Sequence, residues 1–279
     1  MSSETTSNAI ARKPYNWRLL GILVAMVLVS VILITPYALS LQSATLANQK
    51  LPIPLTILIP IQWLQTTILY GILAATGLFI ANRIGLGLPF IESWLAGKPD
   101  WAQVRKFALP AIIAGVAAAI VIIILDAGIF SPQLVLDLQH LGLKMPAAAS
   151  GATPAWEGFL ASFYGGTTEE ILLRLFALSL FAWIGRFVNR APDGHPGEAA
   201  LWAANILAAI LFGLGHLPAT ATAGLPMDAL VITRAVVLNG LAGLVFGWFY
   251  WKHGLEAAML SHFSSDIVLH VILPLLTGH

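Results

Sequence analysis

Long apolar runs alternate with short polar segments along most of the chain. Because a membrane-spanning helix needs about 20 mostly apolar residues, the pattern predicts an all-α, polytopic membrane bundle of about seven to eight transmembrane helices. Polar segments at 98–106, 131–146 and 190–198 separate some of the apolar runs. The predicted spans lie at roughly 17–38, 55–81, 107–127, 156–189, 199–217, 230–251 and 255–274.

The fourth apolar run is too long for one straight span, and it contains Gly165-Gly166. Paired glycines favour a break or bend in a helix. The run is therefore either one long bent helix or a short helix followed by a span, which is why the expected count is seven to eight.

The N-terminal region is polar up to residue 18, and an apolar run follows at 19–34. Ala38-Leu39-Ser40 roughly resembles a signal-peptide cleavage site. Because further apolar spans follow, we interpret the first run as an uncleaved membrane helix.

The distribution of lysine and arginine predicts a cytoplasmic N-terminus, because short cytoplasmic loops are enriched in these residues. With that orientation Lys50, Lys144 and Arg234 fall outside, and Arg174 lies within a span. Ten cationic residues then fall inside: Arg12, Lys13, Arg18, Arg83, Lys98, Arg105, Lys106, Arg186, Arg190 and Lys252.

Composition supports the membrane assignment. The 279 residues are 58% hydrophobic and 10% charged, with a mean hydropathy of +0.84, whereas soluble domains carry about 25% charged residues. A net charge of +1 gives no indication of a nucleic-acid partner. The absence of cysteine excludes disulfides, thiol catalysis and cysteine-type zinc sites.

Polar residues within the predicted spans are the candidates for function. Ionisable groups are costly in hydrocarbon, so each one is by default a functional-site hypothesis. Three groups stand out: Glu169-Glu170-x-x-x-Arg174, Phe212-x-x-x-His216 and His262-x-x-x-Asp266.

Helical spacing separates the roles of the first group. Glu170 and Arg174 are four residues apart, so they share a face and can form an ion pair. Glu169 is rotated by about 100° from Glu170 and has no partner within its own turn. A lone carboxylate in such an environment suits a general base.

The other two groups also join residues one helical turn apart. The Phe212 ring can pack on the His216 imidazole, and Asp266 can fix the tautomer of His262. Each group alone is more often structural than functional, but three helices that each offer inward polar groups together indicate a site. At about 1.5 Å per residue, however, His216 falls near the outer end of its predicted span and His262 roughly 10 Å from the inner end of its own. A shared site then needs tilted helices, a break at Gly165-Gly166 or a different helix boundary.

The ordered motifs EExxxR, FxxxH and HxxxD resemble those of the CPBP family, which comprises CAAX prenyl endopeptidases of type II and bacteriocin-processing (Abi) proteases. The segment GLEAAMLSHFSSD at 254–266 also resembles the approach to the last family motif. The similarity covers roughly 155–275. It implies two regions: 1–150, a polar tail and three transmembrane helices, and 151–279, a catalytic helical core.

The resemblance implies that a glutamate-activated water hydrolyses a peptide bond inside the membrane. Glu169 would be the general base, and His216 would position and polarise the water. His262 and Asp266 would stabilise the oxyanion. Residues supporting the site would be Glu170, Arg174 and Phe212.

The resemblance also leaves open questions about Asp266, metal and substrate. An ionised Asp266 cannot donate to an oxyanion, so it is either protonated or merely orients His262. We expect no cofactor, although Glu169, His216 and His262, with Asp266, form an alternative zinc set. The expected partners are the lipid bilayer and a membrane-associated or prenylated peptide.

Other classes of membrane protein remain as alternatives. HExxH, GxSG and GxGD motifs are missing from the sequence, which disfavours other intramembrane proteases. A non-catalytic protein, either a transporter or an immunity or scaffold protein, could use the same buried polar groups. A transporter usually shows repeated halves, and we find no internal repeat.

Overall fold

The computed structural model describes residues 14–48, 52–146 and 153–278. Within these ranges every regular element is helical, and no strand forms. The α-helices, in chain order, are α1 (Trp17–Leu33), α2 (Thr35–Leu41), α3 (Ser43–Asn48), α4 (Leu55–Arg83), α5 (Pro89–Leu95), α6 (Trp101–Leu125), α7 (Ser131–His140), α8 (Ala155–Tyr164), α9 (Ser179–Gly185), α10 (Glu198–Gly215), α11 (Leu217–Thr222), α12 (Ala229–His253), α13 (Leu255–Asp266) and α14 (Leu273–Thr277).

Among the described residues, four π-helical segments connect some of these helices without a loop. They are Asp126–Phe130, Gly165–Glu169, Ile171–Leu178 and Ile267–Ile272. Two of the four lie in the run that carries the glutamate motif, and π-helical turns are frequent at functional sites.

The number of candidate spans is lower than the sequence pattern predicts. Among the described residues, five helical runs are long and apolar enough to cross a membrane: Leu55–Arg83, Trp101–His140, Glu198–Thr222, Ala229–His253 and Leu255–Thr277. A sixth span is added if α1 and α2, which are bent by 42° at their junction, are counted as one. The predicted count of seven to eight spans is thus not confirmed.

Two segments predicted to be polar loops are partly helical. The segment 98–106 becomes helical at Trp101, where the Asp100 side chain accepts a hydrogen bond from Gln103 N and caps the helix. The segment 131–146 is helical as far as His140. It folds this way because Leu134 and Leu138, one turn apart, are buried in a small apolar cluster.

An ion pair holds the junction of α6 and α7 against α12. Asp126 accepts two hydrogen bonds of 2.7 Å from Arg234. Arg234 lies near the start of α12, and its charge has a defined partner.

The helices that precede residue 150 pack directly on the segment with the glutamate motif. The Ser30 and Thr168 hydroxyls are 2.5 Å apart, next to Glu169. Gly77 of α4 lies so close to Leu175 that an added Cβ would sit 2.8 Å from the Leu175 carbonyl oxygen. These contacts position the polar motif in the interior of the bundle.

Candidate functional site

The Gly165-Gly166 pair does not break the helix that contains it. Residues 155–185 continue in helical conformation, with a π turn from Gly165 to Glu169. A Cβ at Gly165 would overlap Asp266 Oδ2 and lie 3.0 Å from His262 Nε2. A Cβ at Gly166 would lie 3.0 Å from the Cβ of Phe263. The glycines therefore allow α13 to approach closely, and of the two predicted alternatives the run is one continuous helical segment rather than a short helix followed by a separate span.

Gly165→Ala is expected to lower the free energy of unfolding by about 1–3 kcal/mol, because overpacking forces neighbouring groups to move. Thermal unfolding of the purified protein in detergent measures the change. Gly21→Ala is the matched control, since nothing lies within 4 Å of a Cβ at that helical position. Equal stability of the two variants would contradict the close packing described above.

Glu170 lies at the centre of a buried polar network and contacts both Arg174 and His262. Its side chain is fully buried, and Oε1 lies 2.9 Å from Arg174 Nη1, which confirms the predicted ion pair. The same oxygen accepts a hydrogen bond of 2.7 Å from His262 Nδ1. Sequence spacing did not indicate this second contact.

The residue that orients His262 is therefore Glu170, which corrects the expectation that Asp266 holds this ring. Asp266 Oδ1 is 3.5 Å from His262 Nε2, too far for a good hydrogen bond. Because a carboxylate only accepts, Nδ1 of His262 carries the proton in the bond to Glu170. Nε2 is left on the side of Asp266 and Glu169.

Aromatic rings hold the charged groups in place. The Phe246 ring stacks on His262 with centroids 4.5 Å apart, and the Phe212 ring meets the same imidazole edge to face at 5.4 Å. The Arg174 guanidinium lies 4.9 Å from the Phe212 centroid and 5.4 Å from that of Phe246. Phe246 was not recognised from the sequence, where it is one apolar residue among many.

Phe212 also packs on His216, as predicted. Their ring centroids are 4.8 Å apart, and His216 Nδ1 lies 2.8 Å from the Phe212 carbonyl oxygen. Since a carbonyl only accepts, Nδ1 of His216 donates, and Nε2 stays available for another partner.

Glu169 differs from Glu170 in exposure. Its side chain keeps 25% of its surface exposed, and Oε2 lies 3.7 Å from His262 Nε2. Glu169 therefore has the accessible carboxylate of the two adjacent glutamates, whereas the carboxylate of Glu170 is fully buried.

A cavity of about 780 Å³ brings the dispersed motifs together. Glu169, His216, His262 and Asp266 all line it. His216 lies at the junction of α10 and α11, and it lines the same cavity as His262 despite their different predicted positions along their spans.

Several cavity residues were missed by sequence reasoning. Tyr164 lines the cavity, and its hydroxyl is 3.4 Å from that of Tyr70. Gln62, Gln65 and Asn239 also face the cavity. Polar amides inside otherwise apolar spans were the signal that could have identified the last three.

No three histidine, aspartate or glutamate side chains within the described ranges are arranged so that they could hold a metal ion. The alternative zinc set of Glu169, His216 and His262 lines one cavity. These three residues do not form a ligand cluster.

Comparison with known families identifies the region that contains all three motifs. Residues 151–268 match the family model described as Type II CAAX prenyl endopeptidase Rce1-like. Neither the curated proteins nor the solved structures contain a match to the chain.

Proposed function

We propose that residues 151–268, which match the family model described as Type II CAAX prenyl endopeptidase Rce1-like, form a membrane endopeptidase of the CPBP family in which Glu169 activates a water that hydrolyses a peptide bond within the membrane. The observation that supports the proposal is the different burial of the two adjacent glutamates. Glu169 faces the cavity beside His262, whereas Glu170 is buried against Arg174.

The attacking water is held by Glu169, the accessible carboxylate in the cavity. His216 lines the same cavity and helps to position and polarise the water. Glu169 accepts a proton as the water oxygen bonds to the carbonyl carbon, and returns it to the leaving nitrogen when the C–N bond breaks.

His262 stabilises the oxyanion. Glu170 holds its Nδ1, and Phe246 covers its ring face, so Nε2 is fixed before the substrate arrives. Donors that are already oriented are most effective where water is excluded. As an imidazolium, with Glu170 as its counter-ion, the ring donates from Nε2 to the developing charge.

Asp266→Asn is expected to keep kcat/KM within about tenfold of wild type, whereas Asp266→Ala lowers it by roughly 10²-fold or more. A protonated aspartate and an asparagine can each donate one hydrogen bond to the oxyanion, which alanine cannot. Steady-state cleavage rates of the three proteins measure the difference. Equal loss in both variants would mean that Asp266 acts through its charge.

The helical run at 155–185 is, in this proposal, a seventh span. Its four charged residues make it too polar to qualify by composition, but the last two of them neutralise each other. Glu170 and Arg174 form that pair. With seven spans and a cytoplasmic N-terminus, the C-terminus lies outside.

A peptide-cleavage assay tests the proposal. The purified protein is incubated in detergent with fluorogenic peptides, some carrying a prenylated CAAX terminus and some unmodified, with and without a strong metal chelator. Cleavage that persists with chelator supports the metal-independent mechanism. Loss with chelator would favour zinc, and no cleavage of any peptide would favour a non-catalytic membrane protein.

A further inference from the structure

Cationic side chains mark one end of the helical bundle. Leu255 N donates to Gly87 O at 3.0 Å, and the rings of Phe107 and His253 lie 6.4 Å apart. These contacts bring together the loop between α4 and α5, the end of α12 and the starts of α6 and α13. We call this the cationic end, defined by Arg18, Arg83, Lys98, Arg105, Lys106, Arg186, Arg190 and Lys252.

The opposite end, which we call the cavity end, contains α2, α3, α7, α11 and the start of α12. Trp63 Nε1 donates to Thr35 Oγ1 there at 2.9 Å. Within the described ranges its lysines and arginines are Lys144 and Arg234, and Arg234 is paired with Asp126. The described charge is thus strongly asymmetric between the two ends.

The catalytic cavity reaches the cavity end. Its deep wall contains Glu169 and His262, and its lining continues outward to Gln42, Leu46 and Thr222. These last three residues lie in or next to α2, α3 and α11. A substrate therefore approaches Glu169 from the end that lacks the cationic loops.

Because cationic loops stay on the cytoplasmic side of a membrane, we propose that the cavity opens on the extracytoplasmic side and receives an extended polypeptide segment there. This inference rests on the proposed function and specifies the substrate class: a polypeptide segment exposed on the outer face. A prenylated protein confined to the cytoplasm would contact the cationic end of the bundle, where the cavity does not open.

Side-chain amides in the cavity suit the backbone of such a segment. Gln62 and Gln65 lie one turn apart on α4, and both side chains are exposed. In lipid, an unpaired amide would be costly, so these groups face water or substrate. Asn239 lines the cavity from α12; its Nδ2 donates to Ala235 O, and Oδ1 remains to accept. Each glutamine amide offers a donor and an acceptor, as a peptide unit does.

Single-cysteine labelling tests the orientation, and the chain contains no native cysteine. Ala219→Cys lies at the cavity mouth and Ala96→Cys at the cationic end; both positions are exposed. In intact cells a membrane-impermeant maleimide is expected to label Ala219→Cys at least tenfold more than Ala96→Cys. In inverted membrane vesicles the preference is expected to reverse.

The opposite labelling pattern, or equal labelling of both variants from outside, overturns the proposal. If neither thiol reacts, a phosphatase fused to the C-terminus decides: activity supports an external cavity end, and inactivity overturns it. Because labelling does not depend on cleavage, a failed orientation is distinguishable from a failed protease mechanism.

Leucine substitutions test the amide contacts. Gln62→Leu and Gln65→Leu are each expected to raise KM for a cleaved peptide by about three- to tenfold with kcat within about twofold, since a neutral hydrogen bond is lost. Gln103→Leu, at the cationic end, is the control and should leave KM unchanged. Unchanged KM in both cavity variants overturns the backbone-binding role.

Discussion

Glu169→Gln is expected to lower kcat by about 10²–10⁴-fold, the usual contribution of a positioned general base. The amide keeps the shape of the carboxylate but cannot accept the proton of the attacking water. The side chain is one-quarter exposed and is not part of the ion pair between Glu170 and Arg174. The variant should therefore fold normally, with a thermal unfolding midpoint close to that of wild type.

Glu198→Gln is the matched control for this substitution. Glu198 is an exposed carboxylate in the first turn of α10, so its replacement should leave cleavage unaffected. Single-turnover cleavage of the same fluorogenic peptide by the three purified proteins gives the comparison. Equal rates for wild type and Glu169→Gln would exclude Glu169 as the base.

Arg174→Ala is expected to destabilise the fold by about 3–5 kcal/mol, the cost of leaving a buried charge without its partner. Arg174 is 1% exposed, and Glu170 is fully buried beside it. The substitution also removes a hydrogen bond of 3.0 Å to Gly243 O. Thermal unfolding in detergent measures the loss, with Arg190→Ala at an exposed position as the control.

A double variant separates stability from activity. Glu170→Gln with Arg174→Met removes both charges at similar volume, so most of the lost stability should return. Cleavage should stay low, because Glu170 no longer supplies a negative charge to His262 Nδ1. Recovery of both properties would show that the pair serves packing alone.

Local spacing was sufficient to predict contacts within one helical turn. The ion pair of Glu170 with Arg174 and the packing of Phe212 on His216 both follow from residues four apart. The same logic failed for His262. Asp266 is also four residues away, but its carboxylate is 3.5 Å from Nε2, while Glu170 makes the hydrogen bond from 92 residues away in sequence.

Helix boundaries were less predictable because apolar content does not report backbone continuity. The polar segment after Phe130 continues as α7, since its leucines are buried by residues from a distant loop and α12. Gly165-Gly166 was compatible with a break, but the chain stays helical there, and α13 packs against the π turn at this position. The continuation of α7 and the packing at Gly165-Gly166 both depend on contacts with residues that are distant in sequence.

The sequence by itself indicated the membrane setting, the all-helical class and the resemblance to the CPBP family, because hydropathy and motif order are properties of the linear chain. Only the tertiary structure decided which carboxylate is accessible. Glu169 and Glu170 are chemically identical neighbours, and helix packing exposes the first to the cavity and buries the second between Arg174 and His262. Accessibility depends on contacts between distant helices, which spacing along one helix does not encode.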